Sequence, residues 1–90
     1  MGTRSVEQRL EAAIDRLAEV EHERWSHWQR YMHSKGERRP DGSLVLPADL
    51  VARWDVQIDT PYRDLNDEEK ESDREQVRRY LPTVAAVIDG

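Results

Sequence analysis

The segment His22–His27 holds the residue types in this chain that come closest to a metal-binding motif. Two histidines beside a glutamate are similar to the zinc motif His-Glu-x-x-His, whose histidines lie four residues apart on one helix face. Here His27 follows His22 by five residues, which is about 140° around a helix, so the two rings cannot share a metal. His33 also lies off that face. The sequence therefore predicts no metal and no other cofactor.

Other catalytic arrangements are also missing from the sequence. The chain has no cysteine and no glycine-rich phosphate loop. Ser26 and His27 are neighbours in sequence, which does not make a catalytic triad. With 19 Asp and Glu in 90 residues, carboxylate pairs arise by chance, so no acid–base pair stands out. We therefore expect a binding protein and not an enzyme.

Two clusters of ionisable side chains fall on helix stripes where apolar residues are expected. The clusters are Glu21, His22 and Glu23 on the first helix and Lys70, Asp73 and Arg74 on a later one. Inward-facing ionisable groups are costly unless paired, so the clusters are predicted to form one hydrogen-bonded network. This network either only joins two helices or forms a pocket in which His22 and Arg74 contact a ligand beside Trp25. In both cases we expect Asp73→Ala to be destabilising.

A basic segment provides a second candidate binding surface. Residues 24–39 carry five Arg or Lys and one Glu, whereas residues 64–75 carry seven acids and two basic residues. The relevant side chains of the basic segment are Arg30, Lys35, Arg38 and Arg39, near Trp28 and Tyr31. Arginine beside an exposed aromatic ring is typical of phosphate recognition. Charged side chains also keep the edge of a hairpin from pairing with another strand. The basic segment is therefore either a solvated face or a surface that contacts an anion or an acidic partner.

Composition limits the classes of partner and location. A net charge of −5 disfavours general nucleic-acid binding, and an acidic third helix also argues against a DNA-binding repressor. Ninety residues with equal hydrophobic and charged fractions, both 37%, predict one domain with a thin core that a partner or oligomer would complete. The start of the chain lacks an apolar leader, and the longest apolar run, residues 84–88, is too short for a membrane span. The expected location is the cytoplasm, without a membrane association.

The elements that must position these residues begin with a long helix. Residues 4 to about 34 are predicted as one helix, capped by Ser5 with Gln8 and ended near Gly36. Its apolar stripe continues through Trp25, Trp28 and Met32. A second stripe has heptad-like spacing and consists of Val6, Leu10, Ala13, Leu17 and Val20. That stripe is either a self-associating face or a face that packs on the chain's own C-terminal segment.

The remaining sequence predicts a small hairpin and shorter helices. The hairpin covers residues 36–46, with a turn at Arg39-Pro40-Asp41-Gly42. A second helix follows over about 48–58, and a third runs from a cap at Asn66 to about Tyr80. Pro82 then predicts a break before a short apolar segment, about 83–88. The expected fold is mainly α: a long N-terminal helix packed with two or three shorter helices and a small β-hairpin.

The order of several short motifs resembles the RyR domain family, which includes small stand-alone bacterial and phage proteins. These motifs are His22-Glu23-Arg24-Trp25, Pro61-Tyr62, Leu65, Glu68-Glu69-Lys70 and Asp73-Arg74. The match covers about residues 17–88 of a single domain predicted over 1–90, with 4–16 as a helical N-terminal extension. The chain departs from the family at Trp28 and Tyr31, which lack flanking glycines, and in its longer hairpin and helix through residues 36–58.

The resemblance implies a mostly helical, non-enzymatic module that binds a small anionic ligand, such as a nucleotide-derived one. Combined with the polar clusters and the basic segment, it gives the candidate ligand-binding residues His22, Glu23, Trp25, Trp28, Tyr31, Arg38, Arg39, Tyr62, Lys70, Asp73 and Arg74. The alternative is a protein-interaction or self-assembling adaptor, such as a homodimer. In that alternative the polar network is purely structural, and the interface residues are Val6, Leu10, Ala13, Leu17 and Val20.

Overall fold

The structure, a computed structural model, describes residues 4–90, and the first three residues of the domain predicted over 1–90 lie outside them. Its helices are α1 (Val6–Ala12), α2 (Ile14–Ser34), α3 (Ala48–Ile58), α4 (Asp67–Arg78) and α5 (Leu81–Asp89), with a 3-10 turn at Tyr62–Asp64. The two strands are β1 (Glu37–Arg38) and β2 (Leu44–Val45). Helices account for 72% of these residues, so the expected mainly α fold with a long N-terminal helix and a hairpin is confirmed.

The N-terminal helical region begins as expected but is not continuous. Ser5 and Gln8 form the capping box, in which each side chain accepts a hydrogen bond from the other residue's backbone N–H, at 3.1 and 2.9 Å. The prediction of one helix over residues 4–34 is wrong, because the helix breaks at Ala13, whose φ is −97° and ψ is 14°. The break accompanies packing of α1 against α5, where Arg9 Nη1 donates to the carbonyl of Ile88 at 3.2 Å.

The hairpin forms at the predicted turn. Glu37 pairs with Val45 and Arg38 with Leu44 in antiparallel register. Gly42 adopts a φ of 91°, in the left-handed region that favours glycine, and its N–H donates to Arg39 O at 2.9 Å. A Cβ on Gly36 would lie 3.2 Å from the Cβ of Leu44, so Gly36 allows the end of α2 to approach β2 closely.

The three C-terminal helices follow the sequence signals. α3 covers the predicted residues 48–58, and α4 begins after a capping box between Asn66 and Glu69, with hydrogen bonds of 2.8 and 3.2 Å. Pro82 lies in the first turn of α5, where its missing N–H costs no helical hydrogen bond. The expected break is confirmed, and the short apolar segment after it is helical.

The assembled helices leave almost no interior. The molecule measures 61 × 35 × 17 Å, and its radius of gyration is 18.1 Å, whereas a compact chain of this length has about 12 Å. Within residues 4–90, only Ala13 and Val87 are buried, at 6% and 8% exposure, and no polar or charged residue is buried. The core is therefore even thinner than the composition predicts.

Candidate functional site

Glu21 is the centre of the polar contacts on α2. Its carboxylate accepts hydrogen bonds from Arg24, including one from Nε at 2.9 Å, and from the hydroxyl of Tyr80. These bonds, led by the one from Arg24, lower the pKa of Glu21 from 4.5 to about 2. The same contact raises the pKa of Arg24 and of Tyr80. This cluster joins α2 to the connection between α4 and α5.

The predicted network between the two polar clusters is wrong. Across residues 4–90, no hydrogen bond or ion pair joins Glu21, His22 or Glu23 to Lys70, Asp73 or Arg74. Charges on α4 instead pair one or two turns apart, since Glu71 accepts from Arg74 at 3.2 Å and from Arg78 at 2.6 Å. Hydrogen bonds from Arg78 and then Arg74 lower the pKa of Glu71.

Asp73 and Lys70 also lie outside any buried network. Asp73 is exposed and makes no hydrogen bond or ion pair with another residue in 4–90, so the reason to expect Asp73→Ala to be destabilising no longer holds. The Nζ of Lys70 lies 5.9 Å from the ring centroid of Tyr62. These predicted site residues therefore face a neighbouring aromatic ring or solvent.

An aromatic cleft lies between α2, α3, the connection after α3 and the middle of α4. Its cavity of about 440 Å³ is lined by Trp28, Met32, Trp54, Gln57, Ile58, Thr60, Tyr62, Leu65 and Asp73. The rings of Trp28 and Trp54 have centroids 6.3 Å apart and planes tilted by 59°, so they form two walls of a corner. Asp73 is the only residue with a formal charge in this lining. Three predicted site residues, Trp28, Tyr62 and Asp73, meet in this aromatic cleft.

A more polar cavity of about 540 Å³ adjoins the aromatic cleft and shares Trp28 and Trp54 with it. Tyr31 stacks on Trp28 there, with ring centroids 5.4 Å apart. Its charged lining residues are Arg53, Glu68 and Glu69, so acids exceed bases. Gln76 also lines it, and the side-chain oxygen of this residue is buried without a hydrogen-bond partner. The aromatic cleft therefore adjoins a cavity with two acids and one arginine, and it shares Tyr62 and Asp73 with a further cavity that Arg74 and Arg78 line.

The other predicted ligand residues do not reach the aromatic cleft. His22 stacks on Trp25 with ring centroids 6.1 Å apart, and Trp25 lines a separate cavity of about 520 Å³ with Arg38. Arg74 lines a fourth cavity, of about 360 Å³, with Tyr62 and Asp73. Glu23 and Arg39 are exposed and line none of these four cavities. The residues predicted as one ligand site are therefore spread over several surfaces.

The predicted interface stripe is partly used inside the chain. Ala13 is buried, whereas Leu10, Leu17 and Val20 are half-buried and Val6 is exposed. Because α1 packs against α5, the N-terminal part of this stripe agrees with the alternative in which the stripe packs on the chain's own C-terminal segment.

Sequence reasoning missed the α3 side of the aromatic cleft. Trp54 and Ile58 belong to the helix predicted over residues 48–58 and were not among the candidate site residues, yet both line the cavity. Their spacing of four residues was the available signal, since it places both side chains on one helix face. The sequence did not indicate that this face of α3, which lies opposite α2, borders a cavity.

Comparison with protein-family models, curated proteins and solved structures finds no match to this chain. The resemblance to the RyR domain therefore stays a prediction that rests on the motifs. Over residues 4–90, the helices include none with the length and apolar character needed to cross a bilayer. The same residues contain no group of three His, Asp or Glu side chains placed to hold a metal ion.

Proposed function

We propose that this chain is a non-enzymatic, self-assembling interaction module whose fold is completed by a second copy. The observation that carries the proposal is the missing interior. Both buried hydrophobic residues described, Ala13 and Val87, are small, while the large aromatic side chains remain half-exposed or exposed. The other apolar side chains of residues 4–90 are at most half-buried, so little apolar burial is available to offset the conformational entropy that the chain loses when it becomes ordered.

The accessible area indicates how much surface a partner should cover. The chain exposes 7395 Å², whereas a compact monomer of its mass exposes about 5,500 Å². The excess is about 1,900 Å² per chain, and obligate dimers bury roughly 1,000–2,500 Å² per subunit. The excess therefore falls within the range of area that one subunit of an obligate dimer buries.

The aromatic cleft is the surface best suited to such an interface. Ile58, Tyr62 and Trp28 are 77%, 49% and 44% exposed, and all three line the same cavity. Clustered apolar side chains at the surface of a small protein mark an interaction site. Aromatic residues in a concave surface are also the side chains that contribute most to binding between proteins.

A second copy is favoured over a different partner because the chain is complementary to itself in charge. Residues 24–39 have a net charge of +4 and residues 64–75 a net charge of −5. In a two-fold dimer each subunit supplies both the basic and the acidic patch. The same pair of patches therefore meets at two symmetry-related places. The basic segment of one copy therefore matches the acidic segment of the other without any additional component.

The anionic ligand implied by the RyR resemblance is the weaker candidate for the aromatic cleft. The volume of about 440 Å³ is within the range of small-molecule sites. However, Asp73 is the only residue with a formal charge in that lining, and Arg53, Arg74 and Arg78 lie in adjoining cavities instead. The carboxylate of Asp73 would repel a phosphate or another anion that entered the aromatic cleft.

Thermal unfolding at several protein concentrations tests the proposal. If folding requires a second copy, the unfolding midpoint should rise steadily with protein concentration. A midpoint that does not change over a hundredfold dilution series, about 1 to 100 μM, would count against self-assembly.

A further inference from the structure

We infer that the aromatic cleft of one copy receives the side chain of Arg39 from the hairpin turn of the second copy, an inference that rests on the proposed self-assembly. The aromatic cleft offers what a guanidinium requires. Trp28, Trp54 and Tyr62 present three aromatic rings to one cavity, and Asp73 adds a carboxylate. Rings attract cations through their faces, and a carboxylate accepts hydrogen bonds from guanidinium N–H groups.

Asp73 is available for such a contact. It makes no hydrogen bond or ion pair within residues 4–90, although Arg74, its neighbour, pairs with Glu71. A carboxylate beside three aromatic rings loses part of its hydration when a partner covers the aromatic cleft. An incoming cation would compensate for that loss, whereas an apolar side chain would not.

Arg39 is the basic residue best placed to supply that cation. Its backbone N–H donates to Ser43 O at 2.8 Å and its carbonyl accepts from Gly42 at 2.9 Å, which fixes the turn that presents it. Its side chain makes no hydrogen bond or ion pair within residues 4–90.

The other cations of the basic segment have contacts within the chain. Arg24 is bound to Glu21, and the Nζ of Lys35 lies 5.2 Å from the ring centroid of Tyr31. Arg38 donates to the carbonyl of Gly42 at 3.4 Å, and Arg30 lines the cavity beside Trp25. Only Arg39 is both held by a fixed turn and without a side-chain partner among the residues described.

Each chain carries both the hairpin turn and the aromatic cleft, as a two-fold arrangement requires. Met32, near the end of α2, lines the aromatic cleft, and the hairpin turn begins seven residues later in the sequence, at Arg39. A two-fold axis between two copies would give two identical contacts, each with Arg39 from one copy and Asp73 from the other.

Charge reversal tests this pairing. Arg39→Glu places two acids together at each contact, and Asp73→Arg places two arginines together. Each variant alone should dimerise about tenfold more weakly than the wild type, or worse, because each reversal acts at two contacts. An equimolar mixture should regain dimers, since a heterodimer has one Glu–Arg pair and one Arg–Asp pair. Arg16→Glu, which reverses the charge of an exposed side chain that lines none of the four cavities, is the control and should dimerise normally.

The outcomes separate this inference from the proposed function. A wild-type chain that is monomeric at every concentration overturns both. A wild-type dimer that tolerates Arg39→Glu and Asp73→Arg overturns only the pairing and leaves self-assembly standing. If both variants weaken the dimer but their mixture does not restore it, another part of the second copy occupies the aromatic cleft, and the assignment of Arg39 is wrong.

Discussion

The hydroxyl of Tyr80 donates a hydrogen bond to the carboxylate of Glu21, which lies 59 positions earlier in the chain. The other side-chain-to-side-chain hydrogen bonds within residues 4–90 join partners no more than seven positions apart. Within residues 4–90, this is therefore the one side-chain-to-side-chain hydrogen bond that connects α2 to the C-terminal helices.

Removal of the Tyr80 hydroxyl should loosen that connection. We expect Tyr80→Phe to lower the midpoint of thermal unfolding by a few degrees, because a hydrogen bond to a charged acceptor is lost while the ring is kept. Tyr31→Phe is the control, since it removes the same hydroxyl from a tyrosine whose hydroxyl has no hydrogen bond within residues 4–90. Equal midpoints for the two variants would show that the bond to Glu21 contributes nothing.

The lowered pKa of Glu21 predicts a loss of stability in acid. The carboxyl titrates at about 2 in the folded chain and at 4.5 without its partners, so the unfolded state binds more protons between these values. The stabilisation from Glu21 is therefore complete above about pH 4.5 and disappears as the pH falls through 2. Urea unfolding of the wild type and Glu21→Gln should show a stability difference that shrinks over this range. A difference that is constant down to pH 2 would contradict the assignment.

Ala13 marks a position where the packing of α1 has no room for a larger side chain. We expect Ala13→Leu to lower the free energy of unfolding by about 1–3 kcal/mol, because extra methylene groups at a buried site force neighbouring atoms apart. Ala12→Leu, at the exposed neighbouring position, should change it by less than about 0.5 kcal/mol. Denaturant unfolding of both variants at one protein concentration makes the comparison. A stable Ala13→Leu variant would mean that α1 does not hold its position against α5.

The local structure of this chain was readable from the sequence. Ser5 with Gln8 and Asn66 with Glu69 predicted both capping boxes, and Pro40 with Gly42 predicted the hairpin turn. These signals depend on residues at most three positions apart, so the chemistry of a few side chains decides them. The bounds of α3 and the break near Pro82 followed for the same reason.

The arrangement of the helices was not readable in the same way. Each step along a helix rotates the side chain by about 100°, so a one-residue change in how two helices meet selects other partners. Glu21 was expected to face acids and bases on the later helix, and it contacts Arg24 and Tyr80 instead. The break at Ala13 had no glycine or proline to signal it. The aromatic cleft forms because of the way the helices pack against one another, and no local sequence pattern predicts that packing.

A substitution that places a positive charge in the aromatic cleft tests whether this surface is the dimer interface. Ile58 lines the cavity and is 77% exposed, so Ile58→Lys should weaken the dimer about tenfold by repelling the basic segment of the second copy. Val56 is 67% exposed and does not line the cavity, and Val56→Lys is the control that should dimerise normally. Light scattering after size exclusion gives the mass of each variant. Equal masses for both variants would place the interface elsewhere.

The most direct test of self-assembly is the molar mass of the wild-type chain by sedimentation equilibrium at micromolar concentrations. The chain has a mass of 10.6 kDa, and the proposed dimer has twice that, 21.2 kDa. We expect the dimer mass, with dissociation on dilution accompanied by loss of helical circular dichroism. A single species of 10.6 kDa that keeps its helical signal at every concentration would contradict the account, because a folded monomer would then be stable without a second copy.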